Sequence, residues 1–138
     1  MNEAALAIIE QKSIELARLT ARQSYEVQKG WLEVFAQNTK TKTGEYIKGD
    51  LMWHSFSLKH EECLQGIAAL EKYKKQSRCK LFIFDHDLAD CYFCIPKELP
   101  DFSGLGGDIY VSEINYKWTM VFTHEVGFGP YYAPYAPI

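Results

Sequence analysis

Four short runs crowd the second half of this chain: KLFIF (80–84), CYFCI (91–95), DIYVSE (108–113) and YKWTMVFTHE (116–125). All are rich in aromatic and β-branched residues, and each is bounded by turn-forming or acidic residues, so they read as strands. DHDLAD (85–90) joins the first two as an antiparallel hairpin with an acidic loop, and Ile114-Asn115 joins the last two, with Asn115 suited to a left-handed turn. Between the hairpins, PKELPDFSGLGG (96–107) has two prolines and three glycines and reads as irregular chain, its Gly104-Leu105-Gly106-Gly107 end as a turn. That turn leads into a strand, so it offers no helix N-terminus to a phosphate.

Residues 3–37 contrast sharply with this, having no proline and one glycine. Leu6, Ile9, Leu16, Val27, Trp31 and Val34 fall near one stripe at helical spacing, which predicts a long N-terminal helix over 1–38, kinked or split at Gly30. Ser13, Thr20 and Gln23 interrupt the stripe. TKTKTG (39–44) reads as a loop, LMWHSFSL (51–58) as an alternating strand, and IAALEKYKKQ (67–76), after Gly66, as a short helix whose Ile67 and Leu70 share a face. The expected fold is α+β: a long N-terminal helix and a short helix packed on a mainly antiparallel sheet. One domain spans 1–138, with a core at 51–132 and an extended tail at 133–138. The prolines and glycines of GFGPYYAPYAPI (127–138) argue against a central strand there.

Composition narrows the function classes. With 47% hydrophobic and 14% aromatic residues, 138 residues can build a core without a cofactor or disulfides. Fifteen basic and eighteen acidic side chains give a charge of −3, which supplies no field for a nucleic-acid backbone and suits a basic protein partner. No run approaches the roughly twenty apolar residues of a membrane span, and the N-terminus lacks a signal-like pattern, so a cytoplasmic location is expected. The four cysteines are then expected as reduced thiols.

Each chemical motif is incomplete. Strand alternation puts His124 with Tyr116, Trp118, Met120 and Phe122, and Glu125 on the opposite face, so the pair cannot share one site unless the strand ends there. The second histidine of an H-E-x-x-H zinc site is missing. His54 lies among Met52, Phe56 and Leu58; if His54 and His124 met across the sheet near Glu62, Asp85 or Cys63, zinc ligation would be reasonable chemistry, although no spacing demands it. Cys91 and Cys94 face opposite ways on a strand, which defeats chelation and disulfide closure. Asp85, His86, Asp87 and Asp90 lack the glycine and distal glutamate of a calcium loop and form the most acidic local surface, a candidate contact for a basic partner. Tyr131 and Tyr135 join that partner-binding set as aromatic anchors.

Trp31 and Phe35, Trp53-His54-Ser55-Phe56-Ser57, Cys63, Asp108-Ile109-Tyr110-Val111, Trp118-Thr119, Thr123-His124-Glu125 and Gly129-Pro130-Tyr131-Tyr132 stand in an order that resembles an uncharacterised family of small bacterial proteins, a domain of unknown function (family 4275). The resemblance covers roughly 31–132 and implies a compact bacterial cytosolic domain, with no catalytic residues to carry over. The expected function is a non-enzymatic protein-binding domain of the immunity type, neutralising a cognate toxin without metal or cofactor. The alternative is a metal-dependent hydrolase-like enzyme using His54, His124 and Glu125. The chain is expected as a monomer, or as a homodimer through the N-terminal helix.

Overall fold

The structure, a computed structural model, describes residues 1–37, 56, 62–85, 90–124 and 129–135. Among these, three helices surround a seven-stranded sheet. In chain order they are α1 (Glu3–Lys12), β1 (Ser13–Arg18), α2 (Ala21–Phe35), β2 (Leu64–Gln65), α3 (Ile67–Lys74), β3 (Leu81–Asp85), β4 (Cys91–Pro96), β5 (Ile109–Glu113), β6 (Trp118–Phe122) and β7 (Tyr131–Pro134). The strand order is β1-β4-β3-β5-β6-β7-β2, and every neighbouring pair is antiparallel. The α+β class and both predicted hairpins are present.

Alternation along the strands builds two cores. Leu81, Ile83, Ile109, Val111, Trp118, Met120 and Phe122 point to a front face, where Ala5 and Ile9 of α1 and Ala69 and Tyr73 of α3 cover them. Phe84, Tyr110, Val121 and Tyr131 point to the back, where Val27, Trp31 and Phe35 of α2 pack on them. The five residues of β5 and of β6 are all buried, as expected of central strands with helices on both sides. On the back face Trp31 is fully buried, and its ring meets Phe35, Phe56 and Tyr110 with centroids 5.3 to 5.8 Å away. Its Nε1 donates to Thr119 Oγ1 at 2.9 Å, and Ser112 Oγ donates to the same oxygen at 3.0 Å, so the polar side-chain atoms of Trp31, Ser112 and Thr119 are paired.

The long N-terminal helix is corrected to helix, strand and helix. The break falls where the apolar stripe is interrupted. Ser13 Oγ turns back onto the Ile9 carbonyl and lies 3.0 Å from Cys94 Sγ, and the chain beyond it extends along β4. Thr20 then starts α2 with a capping box: its side chain accepts from Gln23 N, while the Gln23 side chain accepts from Thr20 N. Gly30 neither splits nor ends α2. A Cβ there would stand 2.5 Å from Tyr116 Oη, so glycine is what lets the Tyr116 ring lie against the helix and donate to the Val27 carbonyl at 3.0 Å.

Three further expectations are revised. The tail contributes an inner strand, because Tyr131, Tyr132 and Ala133 keep their donors while Pro130 and Pro134 flank them; β7 pairs with both β6 and β2. In the β5–β6 turn the left-handed residue is Tyr116 (φ 58°) rather than Asn115, whose amide is held by Glu113 Oε1 at 2.9 Å. In α3 the buried residues are Ala69 and Tyr73, with Ile67 78% exposed, so the packed face starts two residues later than the sequence pattern indicates. Of the strand expected over 51–58 only Phe56 is described, and it is corrected to a buried helical residue; the rest lies outside the described residues.

Candidate functional site

The motif-bearing segments converge on one end of the sheet. β3 ends at Asp85, which pairs with Ile109 at the start of β5, and Ile109 pairs with Phe122 at the end of β6. Asp108 therefore precedes its strand, and His124 follows its own, at the same rim. A cleft of about 400 Å³ opens there between Met1, Asn2, Asp85, Gly106, Gly107, Asp108, Ile109 and His124.

His124 does not continue the alternation of β6 into the front core. The strand stops at Phe122, and the His124 backbone amide donates to Asp108 Oδ1 at 2.8 Å in place of a ladder carbonyl. The same carboxylate grips the ring, with Nδ1 2.7 Å from Oδ1 and 2.8 Å from Oδ2. Asp108 is buried, whereas the His124 side chain is 38% exposed. A buried carboxylate on Nδ1 fixes the ring orientation and favours the tautomer with its proton on Nδ1. In the sequence Asp108 stands out only as part of the family resemblance and as the first residue of a strand, with no site role given to it.

The acidic hairpin ends are neutralised within the fold. The Met1 ammonium lies 2.7 Å from Asp85 Oδ2 and 2.7 Å from Asp90 Oδ2, and Arg18 Nη2 lies 2.7 Å from Asp90 Oδ1. Hydrogen bonding from the ammonium, with Arg18 adding to it, holds the Asp90 carboxyl below the ordinary carboxylate range; the two carboxylates, Asp85 first, push the amine up. Asp85 is buried, and its Oδ1 has no hydrogen-bond partner among the described residues. The expected acidic contact surface is thus corrected at Asp85 and Asp90, which are spent on internal ion pairs. His86 and Asp87, like His54 and Glu125, lie outside the described residues. Tyr131 is also corrected: at 1% exposure it is core, while Tyr135 is 52% exposed. Among the described residues no group of three His, Cys, Asp or Glu side chains is disposed to hold a metal ion.

The cysteines behave as buried thiols. Cys91 faces the back core and Cys94 the front, as the strand period requires, and all four are free. Burial pushes Cys91 up to about 12 and Cys63 up to about 11, and raises Cys79 and Cys94.

An apolar surface lies elsewhere. α2 covers the central strands of the back face but leaves the β1–β4–β3 end partly open. There Phe82 is abreast of Phe93, and Phe93 is abreast of Ala17. Phe82, Phe93, Ile95 and Tyr116 are half-buried, Ala17 is exposed, and Phe82 stacks obliquely on Tyr116 with ring centroids 6.3 Å apart. Beside this strip runs a groove of about 340 Å³ lined by Leu19, Arg22, Gln23, Glu26, Val27 and Phe82. The exposed ring of Tyr25 stands on the same helix.

No helix among the described residues is long and apolar enough to cross a membrane. No curated protein and no solved structure matches the chain. A family profile does match, over residues 4–132, which takes the family's domain back through α1 and β1, well before the Trp31 at which the resemblance in the sequence begins. The coverage agrees with β1 being an integral strand of the sheet, and the chain belongs to the family described as Domain of unknown function (DUF4275).

Proposed function

We propose that this chain is a protein-binding domain, in its most concrete form an immunity-type inhibitor that covers the active surface of a cognate toxin. The observation that carries the reading is the open aromatic strip of Phe82, Phe93 and Tyr116 on the back face, bordered by a groove and by the charged side chains of Glu15, Arg22 and Glu26. Half-buried aromatic side chains with a polar rim are what a binding hot spot requires. The net charge of −3 favours a basic partner, now through this strip and Tyr135 rather than through the acidic hairpin. Co-expression with the product of a toxin-like reading frame beside its gene provides the test, read as growth rescue and as a co-purifying complex. Rescue that is lost in Phe93→Glu, with the circular dichroism spectrum unchanged, supports the proposal; absence of both rescue and complex overturns it.

One observation favours a hydrolase-like enzyme as the second reading: Asp108 holds the His124 ring at the rim of a cleft, the arrangement used to orient a basic or metal-binding imidazole. Replacing His124 by Gln separates the two readings. Loss of toxin protection together with a hydrolytic activity favours the enzyme, and unchanged protection favours recognition.

A further inference from the structure

Charged residues are sorted between the two rims of the sheet. Asp85, Asp90 and Asp108 stand at one rim, whereas Lys12, Lys80, Lys97 and Lys117 flank the strand ends at the other, where Ser13 is abreast of Pro96 and Leu81 of both Cys94 and Glu113. The Glu113 carboxylate at this second rim is taken up by the Asn115 and Lys117 amides. The net charge of −3 conceals the sorting. At the basic rim a cleft of about 600 Å³ opens between the end of α1, the end of α3 with the chain leading to β3, and the chain that follows β4. Lys12, Lys74, Arg78 and Lys97 line it against the carboxylates of Glu98 and Asp101, four cations to two anions, which leaves a local charge of +2. Ile8 and Leu99, half-buried against the front core, add an apolar wall.

The ion pairs within the cleft show which charges are left over. Lys12 is paired with Glu98, and Lys74 Nζ lies 3.6 Å from Asp101 Oδ2, whereas Arg78 and Lys97 meet no carboxylate among the described residues. Arg78 Nη1 donates to the Lys97 carbonyl at 3.3 Å, which holds the guanidinium beside the backbone that carries the Lys97 ammonium and leaves its other N–H groups for a ligand. The two helix ends would repel an anion if their last carbonyls were bare. They are covered: the Lys12 carbonyl accepts from Lys97 N at 2.6 Å, the Tyr73 carbonyl from Gln76 N at 3.0 Å and the Lys72 carbonyl from Gln76 Nε2 at 3.1 Å. We propose that this cleft binds a small organic phosphomonoester, with Arg78 gripping the phosphate through its planar fork, Lys97 supplying the second positive charge, and the organic part lying along Ile8 and Leu99. A doubly charged phosphate matches the local charge of +2, and its three oxygens serve a fork and a point charge from one group. The cleft adjoins the front core, away from the aromatic strip on the back face, so the site goes beyond the inhibitor reading and stands or falls apart from it.

Calorimetric titration of the full chain with phenyl phosphate tests the site, at about pH 8, where the phosphate carries both charges, and at an ionic strength of about 0.1 M, where distant charges are screened. One saturable site is expected. Benzoate, with a single charge on the same ring, and inorganic phosphate, which forgoes the apolar wall, are both expected to bind about tenfold more weakly. Arg78→Gln and Lys97→Gln, both at exposed positions, each weaken phenyl phosphate by about tenfold or more. Lys80→Gln, which removes the same charge from the same rim outside the cleft, changes the affinity by about twofold or less. Absence of saturation, benzoate or inorganic phosphate binding as tightly as phenyl phosphate, or equal effects of Lys80→Gln and the two cleft substitutions with folds intact by circular dichroism overturns the proposal.

Discussion

Thr119 is the polar centre of the back core. Its hydroxyl accepts from Trp31 Nε1 and Ser112 Oγ and donates to the Val111 carbonyl at 3.0 Å. Thr119→Val keeps the shape and strands two buried donors, so it is expected to lower stability by about 1–3 kcal/mol, measured as a shift of the urea midpoint. The thiols carry an equally direct expectation. With Cys91 pushed up to about 12 and Cys63 up to about 11, almost no thiolate exists near neutral pH, and native protein should react with Ellman's reagent far more slowly than urea-unfolded protein. Rapid labelling of all four cysteines in the native state would contradict the burial. The opposed facing of Cys91 and Cys94 was legible from the strand period alone. Asp108 was given no site role, yet a signal existed: counting outward from the β5–β6 turn, Ile109 pairs with Phe122, which brings the preceding aspartate level with Thr123 and within reach of His124.

The N-terminal third shows what decides an element. Helix propensity and the apolar stripe ran through Ser13–Arg18, and the tertiary environment overrode them: β4 needed a partner on its outer side, and an extended β1 places Leu16 against the front core. The punctuation was nevertheless written in the chain. Asn2 caps α1 by accepting from Ala5 N at 2.8 Å, and the Thr20–Gln23 box restarts the helix after β1. Thr20→Ala is therefore expected to cost about 1 kcal/mol in a urea titration. A change within error would mean that packing of Val27, Trp31 and Phe35 alone holds α2. The tail illustrates the opposite error. Pro130 and Pro134 argued against a strand as a composition, whereas their positions at the two ends of β7 leave the intervening amides free to pair.

Taken together, the domain is a sheet packed on both faces, and the start of the chain is tied to its rim through Met1, Arg18, Asp85 and Asp90. This tie has a pH signature. The Asp90 value in the fold lies below its ordinary 3.8, so its contribution is full above that value and is lost as the pH falls through the lower, folded value. Asp90→Asn should lower stability near neutral pH and flatten the acid limb of the urea midpoint plotted from about pH 5 to about pH 2. An acid limb as steep as that of the wild type would place the acid sensitivity on other carboxylates. The same tie accounts for the loss of the expected acidic patch, because charges counted as surface in the sequence are consumed in joining α1 and β1 to β4.

Period and composition sufficed for the α+β class, the two hairpins, the short helix after Gly66 and the separation of the two strand cysteines, since each depends on contacts between residues close in the chain. Which strands became neighbours, which carboxylates were neutralised and which aromatics stayed open depended on partners dozens of residues away. Asp108 with His124, Arg18 with Asp90 and Phe82 with Phe93 meet only once the sheet has closed, and that closure turned an apparent helix into an edge strand and an apparent tail into an inner one.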